Sequence, residues 1–256
     1  MDFRGKIAVV TGASKGIGKA ISEMLVKGGA FVVLVARRVQ VLEELQSEID
    51  PNKESSLVIG ADISDEKQVI DLFNRVRHEL GSVQILINNA GVGTMGPTGV
   101  ESYETAELDR ILNINLKGAF FCSRGALRSM REKGFGTIIN IVSIAGIKAA
   151  PNVLPYNVSK FGMRALGQTL LAENLKHGIK IHNICPGVTN TSIWDTKEIP
   201  LSEAEREKML KPEDIASVVE FLLTLPKNVR IDELVVLPNS FPVKLWDYEL
   251  LENNEE

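Results

Sequence analysis

The chain has 256 residues, enough for one large α/β domain or two small ones with a sizeable core. A net charge of −4 gives no electrostatic reason to expect a nucleic acid partner. The longest apolar runs, such as IAVV and FVVLVA, are too short to span a membrane, and the first residues lack the apolar core of a signal peptide. We therefore expect a cytoplasmic protein with no membrane contact.

The chain contains two cysteines and three histidines. Cys122 and Cys185 lie far apart in apolar settings, so a disulfide framework is not expected. His78, His177 and His182 do not show the spacing of metal ligands. We expect no metal site.

Strand-like and helix-like patterns alternate along the whole chain. The predicted strands cover 6–11, 31–36, 57–60, 83–88, 137–143, 179–184 and 234–237. The predicted helices cover 17–27, 38–49, 65–80, 104–133, 156–177 and 212–225. This alternation predicts right-handed βαβ units, and so a Rossmann-like three-layer sandwich with a seven-stranded parallel sheet and helices on both faces. Because the composition does not shift along the chain, we expect one domain over 1–256 with its core at about 5–237. The acidic tail at about 247–256 is expected to be loosely ordered.

A glycine-rich turn separates the first predicted strand from the first helix. Gly12, Gly16 and Gly18 have the spacing G-x-x-x-G-x-G, which differs from the general dinucleotide fingerprint G-x-G-x-x-G. Glycines let the backbone approach a pyrophosphate, and the helix N-terminus offers free N–H groups to the anion. The turn could also be plain strand-to-helix punctuation, but its place at the start of an α/β chain favours a dinucleotide cofactor.

The end of the second strand indicates which cofactor. An acid there usually binds the ribose 2′-hydroxyl of NAD, whereas a 2′-phosphate needs cations. This chain has Arg37 and Arg38 at that point, and Lys15 in the glycine turn adds a third positive charge. An ordinary basic surface patch is the alternative interpretation. We predict NADP(H).

Tyr156 and Lys160 lie four residues apart, so they would project from the same face of one helix. A nearby ammonium favours the phenolate, and we therefore expect Lys160 to lower the pKa of Tyr156 toward neutrality. Such a phenol can donate a proton to a carbonyl oxygen or take one from an alcohol. Ser143, at the end of the fifth strand, could hydrogen-bond the same oxygen. Taken alone, Y-x-x-x-K is more often a partly buried tyrosine and a solvated lysine.

Five motifs in order make a more specific signal: TGASKGIG at 11–18, NNAG at 88–91, Ser143, the Tyr156 and Lys160 pair, and PG at 186–187. Over roughly Gly5 to Leu237 this pattern closely resembles the short-chain dehydrogenase/reductase family, and its NADP-preferring members in particular. The resemblance implies a catalytic set of Asn115, Ser143, Tyr156 and Lys160. It further implies that Asn115, the better match than Asn113, holds a water in a proton relay to Lys160.

The resemblance also implies the cofactor-binding residues. They are Gly12, Ser14, Lys15, Gly16, Ile17, Gly18, Arg37, Arg38, Asp62, Ile63, Asn89, Ala90, Gly91, Tyr156, Lys160, Pro186, Gly187, Val188, Thr189 and Thr191. Without the resemblance, NNAG and Pro-Gly could each be an ordinary turn.

The expected function is an NADPH-dependent carbonyl reductase or alcohol dehydrogenase acting on a small ketone, aldehyde or 3-oxo acid. The sequence VRIDELVVLPNS near the end departs from the T-G-x-x-x-x-x-D-G-G ending of β-ketoacyl-carrier-protein reductases. A 3-oxoacyl-[acyl-carrier-protein] reductase-like enzyme is the alternative. A non-catalytic NADP(H)-binding regulatory protein is disfavoured, because all four catalytic residue types are present. A sugar-nucleotide-modifying relative is disfavoured by chain length.

We also expect a homodimer or homotetramer. The helical segments 104–133 and 156–177 carry apolar residues beyond one stripe, and leftover apolar surface favours a partner. These residues are Ile111, Leu112, Ile114, Leu116, Phe120, Phe121, Phe161, Met163, Leu166, Leu170 and Leu171. Packing entirely within the subunit is the alternative. Phe241, Leu245 and Trp246 could add a contact, and Trp194 is expected in a lid over the substrate.

Overall fold

The computed structural model describes residues 2–93, 99–192 and 202–239. The expected lid residue Trp194 and the C-terminal residues from 240 onward lie outside these ranges. The strands are β1 (Ile7–Thr11), β2 (Phe31–Ala36), β3 (Ser56–Gly60), β4 (Ile85–Asn88), β5 (Gly136–Ile141), β6 (Ile179–Pro186) and β7 (Glu233–Val236). The α-helices are α1 (Gly16–Lys27), α2 (Val39–Ile49), α3 (Glu66–Glu79), α4 (Thr105–Leu112), α5 (Gly118–Lys133), α6 (Leu154–Asn174), α7 (Glu203–Glu207) and α8 (Pro212–Thr224).

The strands form one sheet in the order β3-β2-β1-β4-β5-β6-β7, and every neighbouring pair is parallel. This confirms the predicted seven-stranded Rossmann-like sheet. The strand order reverses between β1 and β4, and in such sheets a crevice for ligands opens beyond the carboxyl ends of the strands at the reversal. The chain therefore places its glycine turn after β1 and its NNAG segment after β4 at the same crevice.

Helices cover both faces of the sheet. Ala8 and Val10 of β1 pack in one apolar cluster with residues of α1, α2 and α8. Val9 points the other way and packs in a second cluster with residues of α3, α5 and α6. Because both faces are buried, the strands need apolar residues at nearly every position, which explains runs such as FVVLVA.

The predicted helix over 104–133 is interrupted by one π-helical segment, Asn113–Lys117, between α4 and α5. A π turn inserts an extra residue, so side chains after it change their direction around the helix. The apolar pattern of the sequence did not reveal this change. Helix α7 was also missed, although its capping box, in which Ser202 and Glu205 bond each other's backbone N–H groups, is visible as S-x-x-E.

A row of asparagines crosses the central strands on adjacent positions. Asn88 donates through Nδ2 to Asn140 Oδ1 at 2.9 Å, and Asn140 donates through Nδ2 to Asn183 Oδ1 at 3.0 Å. Asn183 in turn donates to the backbone oxygen of Arg164 on α6 at 3.0 Å. A slip of one residue in β4, β5 or β6 would leave buried amides unpaired, so the row fixes the strand register beneath the site.

One buried histidine predicts how stability depends on pH. His182 on β6 has no exposed surface, its Nδ1 bonds the Ile231 carbonyl oxygen, and its Nε2 has no partner among the described residues. Burial lowers the pKa of His182 from its ordinary value of 6.5. As pH falls through about 6.5, the unfolded chain binds a proton that the folded chain resists, and the free energy of unfolding should therefore decrease.

His182→Val removes this titration, and the slope of unfolding free energy against pH below about 6.5 should flatten by up to about 1.4 kcal/mol per pH unit. Urea unfolding at a series of pH values and constant protein concentration measures the slope. His78→Gln is the control, because His78 is exposed. A slope for His182→Val equal to that of the parent would assign the acid sensitivity to other groups.

No helix in the described ranges combines the length and the apolarity that crossing a bilayer requires.

Candidate active site

A cleft of about 640 Å³ opens at the carboxyl edge of the sheet, beside the ends of β1 and β4. Most of the residues predicted to bind the cofactor line it. They are Gly12, Ser14, Lys15, Gly16, Ile17, Arg37, Arg38, Asp62, Ile63, Asn89, Ala90, Gly91 and Thr191. The predicted residues that do not line this cleft are Gly18, Tyr156, Lys160, Pro186, Gly187, Val188 and Thr189.

The cleft has a wall that the sequence interpretation missed. Arg110 and Ile114 face it from α4 and the π turn, and Val92 and Gly93 extend the wall beyond the NNAG segment. Arg110 and Ile114 are four residues apart on the helix that follows NNAG, so helical spacing could have identified them. Arg110 forms two hydrogen bonds with Glu107, at 2.7 and 2.8 Å.

The glycine turn has the shape that a phosphate-binding backbone needs. Gly12 and Gly16 have φ of +65° and +55°, in the left-handed region that favours glycine. A Cβ on Gly18 would lie 2.2 Å from the Gly12 carbonyl oxygen, so only glycine lets α1 approach the turn this closely. The residue before α1, Lys15, makes no side-chain hydrogen bond to cap the N-terminus of this helix. Its first N–H groups are therefore available to an anion, as a dinucleotide pyrophosphate would require.

The end of β4 is locked onto the glycine turn. Asn89 donates through Nδ2 to the carbonyl oxygens of Thr11 and Gly12, at 3.0 and 3.1 Å. Thr11 Oγ1 accepts from the backbone N–H groups of Asn89 and Ala90, at 3.0 and 3.1 Å. These bonds join the glycine turn and the NNAG segment beneath the cleft. Thr11, which the sequence interpretation did not select, shapes the cleft from below.

Three exposed cations, Lys15, Arg37 and Arg38, lie together at one end of the cleft. Within the described part of the chain, none of them forms an ion pair with an acid, whereas other arginines such as Arg75 and Arg77 do. The acid of the neighbouring loop, Asp62, accepts from the Ser64 backbone and hydroxyl through Oδ1. Among the described residues, no acid therefore neutralises the positive charge at this end of the cleft.

The catalytic hydroxyls predicted from the sequence meet beyond β5. Ser143 caps a 3₁₀ helix, Ile144–Gly146, and its Oγ accepts from the Ala145 N–H at 3.1 Å. Tyr156 lies in the first turn of α6, half-buried, and the Ser143 side chain is near enough to lower the pKa of its hydroxyl. The two hydroxyls can thus contact one substrate oxygen together.

The expected effect of Lys160 on Tyr156 is wrong for this state of the protein. Burial raises the pKa of Tyr156, and the hydrogen bond with Ser143 opposes the shift only in part. Lys160 Nζ donates to the Ile141 carbonyl oxygen at 3.0 Å and lies 5.6 Å from the centre of the Tyr156 ring. Burial also lowers the pKa of Lys160 to about 8. The ammonium therefore faces the ring and a backbone carbonyl, not the phenolic oxygen.

Asn115 lies in the π turn and is fully buried. Its Oδ1 accepts from Val92 N–H at 2.8 Å, and its Nδ2 donates to Val92 O at 2.9 Å and Ser159 Oγ at 3.0 Å. A Cβ on Gly91 would lie 3.3 Å from Asn115 Oδ1 and 3.7 Å from Lys160 Nζ, so these groups converge. The Asn115 side chain ties the cleft wall to α6. Its part in a water relay stays a prediction.

The segment after β6 approaches the glycine turn from the opposite side. Gly187 donates through its backbone N–H to Val236 O at 2.7 Å, and Thr189 Oγ1 donates to Gly187 O at 3.2 Å. A Cβ on Gly16 would lie 3.1 Å from Thr191 Cγ2. Pro186, Gly187, Val188 and Thr189 thus support this wall, and Thr191 reaches the cleft.

The family model for short chain dehydrogenases matches residues 6–200. An uncharacterized oxidoreductase of Staphylococcus aureus (strain MRSA252) is 34% identical over 233 residues, which cover 91% of this chain and 97% of the relative. An alcohol dehydrogenase from the archaeon Thermococcus sibiricus, solved with 5-hydroxy-NADP, is 31% identical with a TM-score of 0.82 and covers 90% of this chain and 95% of its own. A metagenomic short-chain oxidoreductase solved with NADP is 30% identical with a TM-score of 0.80, covering 93% and 98%. The chain belongs to the short-chain dehydrogenase/reductase family, and it is an oxidoreductase.

Proposed function

We propose that the protein is an NADPH-dependent carbonyl reductase, reversible as an alcohol dehydrogenase, that acts on a small ketone, aldehyde or 3-oxo acid. The observation that carries this proposal is the proximity of the Ser143 and Tyr156 side chains, with Lys160 one helical turn further along α6. This pair lies at the same edge of the sheet as a dinucleotide-shaped cleft.

The cofactor is NADP(H), and the charges at the cleft support this choice. Lys15, Arg37 and Arg38 offer cations that no acid of the described residues neutralises. A 2′-phosphate would satisfy them, whereas a ribose hydroxyl would leave them unpaired. The Thermococcus sibiricus and metagenomic relatives, solved with 5-hydroxy-NADP and NADP, agree with this choice.

When bound, the reduced nicotinamide supplies a hydride to the carbonyl carbon of the substrate. The Tyr156 hydroxyl donates its proton to the carbonyl oxygen, so that hydride and proton together give the alcohol. Ser143 hydrogen-bonds the same oxygen and stabilises the charge that develops on it. Lys160 would bind ribose hydroxyls of the cofactor. These would add acceptors to the two that its buried ammonium has among the described residues, Ile141 O at 3.0 Å and Met163 Sδ at 3.9 Å. Solvent then returns a proton to Tyr156.

The raised pKa of Tyr156 suits the reductive direction. A general acid must carry its proton when the substrate arrives, and a phenol whose pKa lies above its ordinary value of 10.0 is protonated at neutral pH. A phenol with a pKa near neutrality would be partly ionised and could not donate from that fraction.

A panel of carbonyl compounds tests the proposal by NADPH oxidation at 340 nm, with the alcohol product identified by mass spectrometry. The panel should contain small aldehydes, ketones and free 3-oxo acids, and 3-oxoacyl thioesters on a carrier protein as a separate arm. Reduction of the free compounds supports the proposal. Activity only on the carrier-bound thioesters would favour the acyl-carrier-protein reductase alternative, and NADPH binding with no turnover on any compound would favour a regulatory role.

We further propose that the protein forms a homodimer or homotetramer. In the structure, fewer apolar residues are exposed than the sequence pattern indicated. Most of the apolar residues named for 104–133 and 156–177 pack within the subunit, among them Ile111 and Met163. Phe120 on α5 and Phe161 on α6 remain exposed, each by about 40%. These two rings on neighbouring helices favour a partner surface. Light scattering at micromolar concentration should give a mass of two or four chains, and Phe120→Asp with Phe161→Asp should shift it toward one chain.

A mass near that of a single chain for the parent protein would overturn the oligomer proposal. Phe135→Asp serves as the control for introducing a carboxylate in place of an exposed phenylalanine, because Phe135 is similarly exposed but lies between α5 and β5.

A further inference from the structure

We propose that Tyr103 is a positioning residue for the substrate side of the active site. Its hydroxyl holds the loop 147–153 in place and thereby determines which carbonyl compounds reach Ser143 and Tyr156. The effect on substrate selection rests on the carbonyl reductase function proposed above. The effect on the position of the loop does not depend on that function.

The loop 147–153 joins the two catalytic hydroxyls. It follows the 3₁₀ helix that Ser143 caps, and it ends where α6 begins, two residues before Tyr156. A carbonyl oxygen placed between these hydroxyls is bound by a residue before the loop and a residue after it. On the proposed role, a shift of the loop would change the space open to the group attached to that carbonyl.

The first half of the loop is fixed from α6. Asn157, buried and next to Tyr156, donates through Nδ2 to Ala150 O at 2.7 Å and accepts from Ala150 N–H at 3.3 Å. The N–H groups of Ile147 and Lys148 both donate to Ile144 O, at 2.9 and 3.0 Å. These bonds fix the loop as far as Ala150. Their partners, Ile144 and Asn157, lie directly before the loop and in the helix that follows it.

The second half of the loop is tied from another element. Asn152 has φ of +61°, a left-handed conformation that asparagine adopts more readily than most residues other than glycine. Its carbonyl oxygen accepts a 2.6 Å hydrogen bond from Tyr103 Oη. Tyr103 directly follows the 3₁₀ helix Val100–Ser102 and precedes α4. The bond thus connects the start of the α4 region, whose later residues line the cofactor cleft, to the loop beside the substrate.

The proposal predicts a local loosening when the hydroxyl is removed. Tyr103→Phe keeps the ring and deletes the bond to Asn152 O, so the second half of the loop should open more often. The amide of Asn157, which donates to Val153 O at 2.9 Å, should then exchange with deuterium roughly 3–10-fold faster. Thr224→Val is the matched control, because Thr224 also donates a hydroxyl to a backbone oxygen, Phe221 O at 2.9 Å, on distant α8. Exchange of the β1 and β4 amides should not change in either variant.

The kinetic consequence is a loss of discrimination. For Tyr103→Phe, the ratio of kcat/KM between a small and a bulky ketone should change by roughly 3–10-fold, mainly through KM of the bulky compound. The NADPH dissociation constant and kcat for the small ketone should stay within about twofold. Thr224→Val should match the parent in every measurement.

Two outcomes overturn the proposal. Unchanged exchange of the Asn157 amide in Tyr103→Phe would show that the hydroxyl does not hold the loop. Faster exchange with an unchanged ratio would show that the loop does not select substrates. If the parent reduces none of the carbonyl compounds, the proposed function fails and takes the role in selectivity with it, while the exchange measurement by itself still decides whether Tyr103 holds the loop.

Discussion

Replacing Tyr156 with phenylalanine should lower kcat for carbonyl reduction by roughly 10²–10⁴-fold, the range typical of lost general acid catalysis. The substitution keeps the aromatic ring and removes the proton that the hydroxyl donates. Because Tyr156 does not line the cofactor cleft, the affinity for NADPH should be nearly unchanged. Steady-state rates at 340 nm and a fluorescence titration of NADPH measure the two quantities.

Thr224→Val is the control for this experiment. It removes a hydroxyl on distant α8, and its kcat for a small ketone should match that of the parent. If Tyr156→Phe also turned over within a few-fold of the parent, Tyr156 would not be the proton donor, and the mechanism proposed here would be wrong.

Arg37→Asp should weaken NADPH binding by roughly 10–100-fold, since it removes a charge-assisted hydrogen bond and adds a carboxylate that repels the 2′-phosphate. Binding of NADH should change little or improve, because a carboxylate can accept from the ribose 2′-hydroxyl. The parent should therefore prefer NADPH, and the variant should prefer NADH or lose the preference. Fluorescence titrations of both cofactors measure the change.

Arg128→Asp controls for the change in overall charge. Arg128 is also an exposed arginine, but it lies on α5, away from the cofactor cleft. It should leave the ratio of the two affinities as in the parent. Equal affinity of the parent for NADPH and NADH would contradict the assignment of Lys15, Arg37 and Arg38 to a 2′-phosphate.

The fold was predictable because the apolar patterns of the sequence match the burial of the strands and helices in the structure. Strands that are buried on both faces must be apolar throughout, and FVVLVA at β2 shows this directly. Gly12 and Gly18 were predictable as well, because a close approach of backbone to backbone leaves no space for a side chain. Gly16 was predictable because its φ of +55° favours glycine. Their spacing survives in the sequence as a pattern of residues that other amino acids could not replace.

What the sequence did not reveal depends on distances across the fold. The π turn at Asn113–Lys117 follows from the bonds of Asn115 to Val92 and Ser159, which come from two other segments. The shift of the Tyr156 pKa was predicted in the wrong direction. Residue spacing shows that Lys160 lies near Tyr156, but it does not show which atoms the Lys160 ammonium contacts. In the structure the Lys160 ammonium donates a hydrogen bond to Ile141 O, and burial is the main cause of the raised pKa of Tyr156.

Transfer of a labelled hydride tests the central claim most directly. The protein would be supplied with NADPH carrying deuterium at C4, on either face in separate reactions, together with a carbonyl compound from the panel, and the alcohol would be analysed by NMR. We predict one deuterium on the carbinol carbon from one of the two labelled faces and none from the other, with the hydroxyl proton coming from solvent. An alcohol without deuterium on that carbon from either face, or no alcohol at all, would contradict the assignment of this chain as an NADPH-dependent carbonyl reductase.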